Sequence, residues 1–291
     1  MTDILGETYS LENHSFSIQY THRKGYYSMV SGHFHPYYEI FYLLQGERIY
    51  FINDTVYTAQ AGDLVIVNPH DLHQTSSSEA PGFERILINF THEFIHSRLG
   101  PDDPQLLPFA LGSRLVRFPL KEQPAVDRMI RDMLLECTEQ GEGYEAYVRS
   151  SLMKLLVLIH RQLRREDEKP PHYAHPMHEK ISEIAAFLNA HYHEELTLEQ
   201  VSKQFYISPS YLSRVFKKIT GFHFREYLLV IRVKEAQRML RESQLKILAV
   251  SELVGFRHIS HFNTTFKKIA GISPLQYRKR QLDIGREMAR E

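Results

Sequence analysis

YLSRVFKKITG at Tyr211–Gly221 returns fifty residues later as HFNTTFKKIAG at His261–Gly271, with Phe-Lys-Lys-Ile and the closing glycine in identical positions. In the first copy Leu212, Val215, Phe216 and Ile219 fall at i, i+3, i+4 and i+7, the spacing of one buried helix face. The opposite stripe holds Ser210, Ser213, Arg214 and Lys217, hydrogen-bonding and cationic groups that can reach base edges and phosphates in a major groove. The second copy repeats the division: Phe262, Thr265, Phe266 and Ile269 inward, Ser260, Asn263, Thr264 and Lys267 outward. Gly221 and Gly271 stand where a left-handed C-terminal residue ends a helix.

Upstream of the first copy, Thr197-Leu198-Glu199-Gln200 has the pattern of a capping box, and Ser208-Pro209 marks a second helix start. A short helix, a turn over Phe205–Ile207 and a second helix make a helix-turn-helix. ILAVSELVGF (Ile247–Phe256) supplies the same preface to the second copy at an offset of forty-nine, so its turn is one residue longer. Between the two units REYLLVIRVKEAQRMLRES (Arg225–Ser243) reads as one helix, and ~17 residues at 1.5 Å span roughly 25 Å. Successive major grooves on one face of DNA lie about 34 Å apart, so such a connector lets one chain address two of them.

Charge supports this reading. The whole chain has 35 Lys+Arg and 35 Asp+Glu. From Glu179 onward 19 basic residues face 12 acidic ones, a net of +7, which leaves −7 on the remainder. Lys and Arg gain affinity by displacing counterions from phosphates.

Moving toward the N-terminus, EDEKPPHYAHPMH (Glu166–His178) has three prolines and no apolar period, as a linker would. Before it, Val148, Leu152, Leu155, Ile159 and Leu163 place one face of a helix over about 144–165, preceded by a helix over about 124–140. This helical pair either packs on its own domain or joins two subunits. The first third is β: runs rich in Tyr, Ile, Phe and Val between residues 34 and 90 are punctuated by Gly46, Asn53-Asp54, Gly62 and Asn68-Pro69. Consecutive strands of this kind make a barrel or jelly roll. The expected architecture is an α+β multidomain chain. A β-barrel occupies 1–110, a helical extension and candidate dimerisation element 111–168, a linker 169–178, and an all-α domain with two helix-turn-helix units 179–285.

The longest aliphatic run, Leu155–Ile159, is far short of the ~20 apolar residues of a membrane span. The N-terminus has no basic segment followed by an apolar one, and the single Cys137 excludes an internal disulfide framework. A cytoplasmic protein without membrane partners is expected.

Residues 180–280, through SPSYLSRVFKKITGFHFREY, the connecting helix, ILAVSELVGF and FNTTFKKIAGISPLQYRK, resemble the DNA-binding domain of the AraC/XylS family of bacterial transcription regulators. The resemblance implies base contacts from Ser210, Ser213 and Arg214 in the first recognition helix and from Ser260, Asn263 and Thr264 in the second. The second helix departs from the family pattern, with His261 in place of a frequent Tyr and Thr264 in place of a frequent Arg.

His33-Phe34-His35, three residues, Glu39, six residues and Gly46 resemble the first cupin motif, and Gly62, Pro69 and His73 a degenerate second one. In metallo-cupins two His, the Glu and a later His bind one divalent metal; here those four would be His33, His35, Glu39 and His73. The motif's leading glycine and second-half spacing are not intact, and barrels of sugar-responsive family members often keep such a stretch without metal. No cofactor is therefore expected, and His33, His35, Tyr38, Glu39 and His73 are assigned to an effector pocket. With Tyr37 and Tyr42 nearby, ring faces and polar edges suit a carbohydrate. Strand alternation sends His33, His35 and Glu39 to one side, with Pro36 as an interruption.

The resulting expectation is a non-catalytic regulator. Its partners are promoter DNA, a small-molecule effector of the sugar class, RNA polymerase and a second copy of itself in a homodimer. The rival is a metal-dependent cupin enzyme carrying a DNA-binding tail. A third possibility, a DNA-repair methyl acceptor, needs reactive cysteines, against which a lone Cys137 inside a helical pattern argues.

Overall fold

Alternating burial along the strands and a 3.6-residue period along the helices carry the fold in the computed structural model. It describes residues 5–11, 15–29, 31–78, 81–96, 107–112, 114–166 and 175–280. The chain divides into two compact units, Met1–Lys180 and Ile181–Glu291. Residues 169–174 of the expected linker and 281–285 of the expected last domain lie outside the described residues.

The first unit contains β1 (Leu5–Leu11), β2 (Phe16–Arg23), β3 (Tyr38–Ile52), β4 (Thr55–Gln60), β5 (Asp63–Val67), β6 (His73–Ser77), β7 (Phe83–Phe90) and β8 (Leu115–Arg117). All pairings are antiparallel, in the order β1-β2-β7-β3-β5-β8, with β4 and β6 paired to β3. β3 is the hinge of this arrangement. Its first part pairs with β5 and β7 and its last part with β4 and β6, so one strand serves both sheets. The change of sheet falls at a bulge between Leu43 and Gln45, followed by Gly46 at φ 93°. A Cβ on Gly46 would lie 2.7 Å from the Gly82 carbonyl oxygen, so glycine is needed there for space as well as conformation.

The bulge also shifts the parity of the strand. Phe41 and Leu43 before it, and Tyr50 and Ile52 after it, all join one core cluster with Ala59, Val65, Val67 and Phe83 between the sheets. The outer face of the larger sheet, with Ile18, Ile40, Ile66, Ile86 and Ile88, is sealed by α2 (Gln123–Glu139) and α3 (Tyr144–Glu166). α1 (His92–His96) adds Phe94 and Ile95 to the same core. The stripe Val148, Leu152, Leu155, Ile159 and Leu163 is buried throughout, and each such side chain contributes roughly 1.5–3 kcal/mol. That face is used by its own barrel.

Two boundaries differ from expectation. β8 pairs with β5 from within the stretch expected to be helical extension; three residues are too short to show alternation. α4 (Pro176–Ala190) starts inside the expected linker, because Pro176 sits at a helix start, where its missing N–H costs nothing.

The second unit is helical: α4, α5 (Leu198–Gln204), α6 (Pro209–Thr220), α7 (Phe224–Glu242), α8 (Ile247–Leu253), α9 (Ile259–Ala270) and a helix over 274–280. α8 follows α5 by forty-nine residues and α9 follows α6 by fifty, so the longer second turn is observed. Thr197 and Gln200 form both hydrogen bonds of the capping box. Gly221 and Gly271 cap α6 and α9 at φ 79° and 77°. The connecting helix α7 has 19 residues, about 28 Å at 1.5 Å each. Tyr227 packs against Phe216 of α6, whereas Val233, Ala236 and Leu240 join Val250, Val254, Phe262 and Phe266 of the second helix-turn-helix.

Candidate nucleic-acid interface and barrel site

The two repeated helices keep their apolar residues in and their polar residues out. Leu212, Phe216 and Ile219 are buried in α6, and Phe262, Thr265 and Phe266 in α9. Val215 and Ile269, expected in the buried stripes, are only half-buried; they lie at the stripe's edge, and in α6 Thr220 is buried instead, its hydroxyl donating to the Phe216 carbonyl. Ser210, Arg214 and Lys217 are exposed and Ser213 is half-buried, while Ser260, Asn263, Thr264 and Lys267 are all exposed. Arg214 lies over the Tyr211 ring, 5.3 Å from its centroid, which orients the guanidinium along the exposed face. Lys217 Nζ is 2.5 Å from His223 Nε2 at the end of α6. The Thr264 hydroxyl donates back to the Ser260 carbonyl, so in α9 it reaches outward as an acceptor and a methyl.

The turns before the recognition helices differ in one informative way. Tyr206 in the first and Gly255 in the second occupy matching positions, both left-handed, at φ 54° and 87°. Tyr206 is 96% exposed. Gly255 is packed: a Cβ there would stand 2.7 Å from the His193 carbonyl oxygen. The backbone it meets is fixed by Arg232 of α7, which donates to the carbonyls of Tyr192 and Glu194, and by an Arg257–Glu195 ion pair. Sequence reading missed this brace, whose only signal is a glycine at the forty-nine-residue echo of Tyr206.

In the barrel His33, His35, Glu39 and His73 come together as expected. His33 and His73 form an isolated antiparallel bridge, with both backbone hydrogen bonds made. Their rings are 4.3 Å apart, and those of His35 and His73 4.8 Å. The Nδ1 atoms of His35 and His73 each lie 2.9 Å from a backbone carbonyl, of Tyr37 and Asp71. A carbonyl only accepts, so both Nδ1 atoms carry a hydrogen. The Nε2 atoms of the two rings are buried and have no hydrogen-bond partner. Glu39 faces them, Oε2 at 3.4 Å from His35 Nε2 and Oε1 at 4.0 Å from His73 Nε2. Burial, with His73 beside it, pushes His33 down to about 4, and burial also lowers His73, so both imidazoles are neutral at pH 7. Burial works to raise Glu39, but the close approach of His35 and His73 outweighs it and holds the carboxyl below its ordinary range.

Tyr38 is a correction. It is next to Glu39 on β3 and so points to the opposite face, where it packs on Phe90 and Phe109 at ring distances of 5.3 and 4.1 Å. Tyr42 shares that outer face and donates to Asp127 of α2. Tyr37 remains with the cluster, stacked on His35 at 3.9 Å.

The side chains that do share the interior with Glu39 are ones the sequence did not single out. Arg48 is 1% exposed and donates to Thr75 Oγ1, Ser77 Oγ and the Tyr27 carbonyl, with its Cζ 4.4 Å from the Phe83 ring centroid. Burial lowers it to about 10, still charged at neutral pH. Arg85 and Asn89 pair in register with Leu43 and Glu39, which places them on the same inner face. Arg48 Nη2, Arg85 Nε and Asn89 Oδ1 are buried without partners. The three histidines, two with back-bonded Nδ1 atoms, and the Glu39 carboxyl are also of the donor types that a divalent cation takes.

Comparison with known proteins follows the same division. The chain matches the AraC-like ligand binding domain over residues 18–156 and a helix-turn-helix domain over 201–280. The HTH-type transcriptional activator RhaS of Klebsiella pneumoniae is 25% identical over 85% of this chain and 87% of its own. The uncharacterized HTH-type transcriptional regulator YfiF of Bacillus subtilis is 22% identical over 84% of this chain and 78% of its own. Among solved structures, the C-terminal domain of the two-component response regulator yesN from Fusobacterium nucleatum is 38% identical over 33% of this chain and 93% of its own, at a TM-score of 0.32. No helix among the described residues is long and apolar enough to cross a membrane. The chain belongs to the AraC family of transcription regulators, with an AraC-like ligand-binding domain built on the β-barrel and a DNA-binding domain built on two helix-turn-helix units.

Proposed function

We propose that this regulator is non-catalytic and is controlled by a small polar effector, of the carbohydrate class, held between the two sheets of the barrel. The observation that carries the reading is the set of inward polar atoms without partners, Arg48 Nη2, Arg85 Nε and Asn89 Oδ1, beside Glu39 and the histidines. An unpartnered buried polar atom costs about 1–3 kcal/mol, which a polyol offering both donors and acceptors would recover. Tyr38 and Tyr42, on the opposite face, take no part in holding it. In this reading Ser210, Ser213, Arg214 and Lys217 of α6 and Ser260, Asn263, Thr264 and Lys267 of α9 contact promoter DNA. The working form is a cytoplasmic homodimer that engages RNA polymerase. Effector and DNA need be coupled by only ~1–3 kcal/mol for a 5–150-fold response.

The test is thermal unfolding of the full chain against a panel of sugars and sugar acids. A saturable rise in the midpoint with one compound, lost in Asn89→Ala and Arg85→Met, supports the reading, since a ligand bound to the native state must stabilise it. A rise that survives both substitutions places the effector elsewhere.

A further inference from the structure

The two recognition helices carry different outward chemistry at matching positions. α9 follows α6 by fifty residues, so Pro209 and Arg214 of α6 correspond to Ile259 and Thr264 of α9. Ile259 opens α9 and remains 37% exposed although its side chain is wholly apolar. Asn263 and Lys267 continue its stripe of the helix, and all three line one open cleft with Thr264 and with the exposed Leu248 of α8. Thr264 has spent its hydroxyl hydrogen on the Ser260 carbonyl, at 3.0 Å, which leaves it a methyl and a lone pair to present outward.

The recognition helix of a helix-turn-helix brings its N-terminal residues to base edges in the major groove. The apolar group among those edges is the thymine 5-methyl, which takes apolar side chains and the methyl of threonine as partners. We propose that the second unit selects thymine, with Ile259 and Thr264 covering 5-methyl groups in its half of the site. This rests on the reading in which α9 contacts promoter DNA. Neither side chain has a hydrogen to give to the O6 and N7 acceptors of guanine, whereas Arg214 at the matching α6 position presents the fork that guanine takes. The two halves of the site therefore differ in base chemistry, and that difference sets the direction in which one chain lies on the DNA. The competing occupant of Ile259 is an apolar surface of another protein, to which a thymine methyl makes no difference.

The experiment is selection of sites by the full chain from a random DNA pool, then resynthesis of the enriched site with deoxyuridine in place of each thymine. Uracil keeps the hydrogen-bonding groups of thymine and lacks only the methyl. Affinity is read by fluorescence anisotropy at fixed salt. Expected are thymine in the segment that Asn263→Ala relaxes, and binding about 3–5-fold weaker for each contacted thymine replaced there, the worth of one buried methyl. Uracil in the α6 segment should change binding by less than about 2-fold. Thr264→Ser deletes only the methyl and keeps the bond to Ser260, and Ile259→Ala removes the apolar cover at an exposed position. Each should weaken the thymine site and bring the uracil effect at one position to within about 2-fold. An α9 segment without thymine, no penalty from uracil in the native chain, or a penalty undiminished in both variants overturns the proposal. Ile259→Ala with unchanged affinity for both sites assigns that side chain to a protein partner and overturns it too. Those outcomes leave DNA reading by α9 standing, whereas enrichment of no sequence refutes base reading by the chain as a whole.

Discussion

Gly255→Ala isolates the brace between the second helix-turn-helix and the loop after α4. Two costs combine. At φ 87° any L-residue loses about 1–2 kcal/mol, of which the lower unfolded-state entropy of alanine returns roughly 0.4–1, leaving about 1. The new Cβ then lies 2.7 Å from the His193 carbonyl oxygen, and that backbone cannot retreat without breaking the Arg232 hydrogen bonds to Tyr192 and Glu194. Forcing such a contact costs about 1–3 kcal/mol, for a total near 2–4. Gly271→Ala supplies the reference: it has φ 77° and nothing within 4 Å of its Cβ, so it bears the conformational cost alone. The assay is urea unfolding of the full chain followed by helix dichroism, with hydrogen exchange of peptides from 181–280 to locate the loss. Gly255→Ala should fall below Gly271→Ala by about 1–3 kcal/mol and expose the 191–196 backbone. Equal losses, within ~0.5 kcal/mol, would refute the steric argument and the brace with it.

Tyr206→Gly reverses the situation in the first turn, relieving a left-handed tyrosine that is 96% exposed. It should stabilise the chain by about 0.5–1 kcal/mol in the same assay, and a loss would show that the ring has a packing role. Arg214→Ala should cost about 1–3 kcal/mol on a selected site and relax one base position, whereas Lys217→Ala weakens all sequences alike and lowers the salt slope by about 1. Losses of equal size on selected and random DNA for Arg214→Ala contradict base reading by that side chain. Cys137 is buried in α2, and burial pushes its thiol up to about 11, so roughly one molecule in a thousand is thiolate at pH 8. Thiol reagents should leave the native chain unmodified for hours and label it once in urea. Rapid native labelling would place Cys137 at an accessible surface.

Much of the helical half can be read in the residues themselves. Capping residues, closing glycines and a 3.6-residue apolar period agree at each helix, so even the extra residue in the second turn is visible from the offsets. The barrel is harder, because side-chain direction there depends on register. Glu39 and the three histidines are marked by their spacing. Composition alone puts Tyr38 and Tyr42 in a pocket that alternation denies them. Arg48 and Tyr50 escaped for the converse reason: the bulge between Leu43 and Gln45 changes the parity of β3, so residues that continuous alternation would turn away from Glu39 face it. A glycine within a long apolar strand, Gly46, is the one sequence sign of that switch. β8 and the start of α4 were missed because a three-residue strand and a proline-led helix leave no period to detect.

The most direct test of the central claim is selection of DNA sites by the full chain from a random pool, followed by footprinting of the enriched sequence. Two helix-turn-helix units joined by an α7 of about 28 Å should protect two major-groove segments about one turn, roughly 10 base pairs, apart for each chain bound. Substitutions in α6 should relax one segment and substitutions in α9 the other. Enrichment of no sequence, or a single protected segment unaffected by Asn263→Ala and Lys267→Ala, would contradict reading by both units.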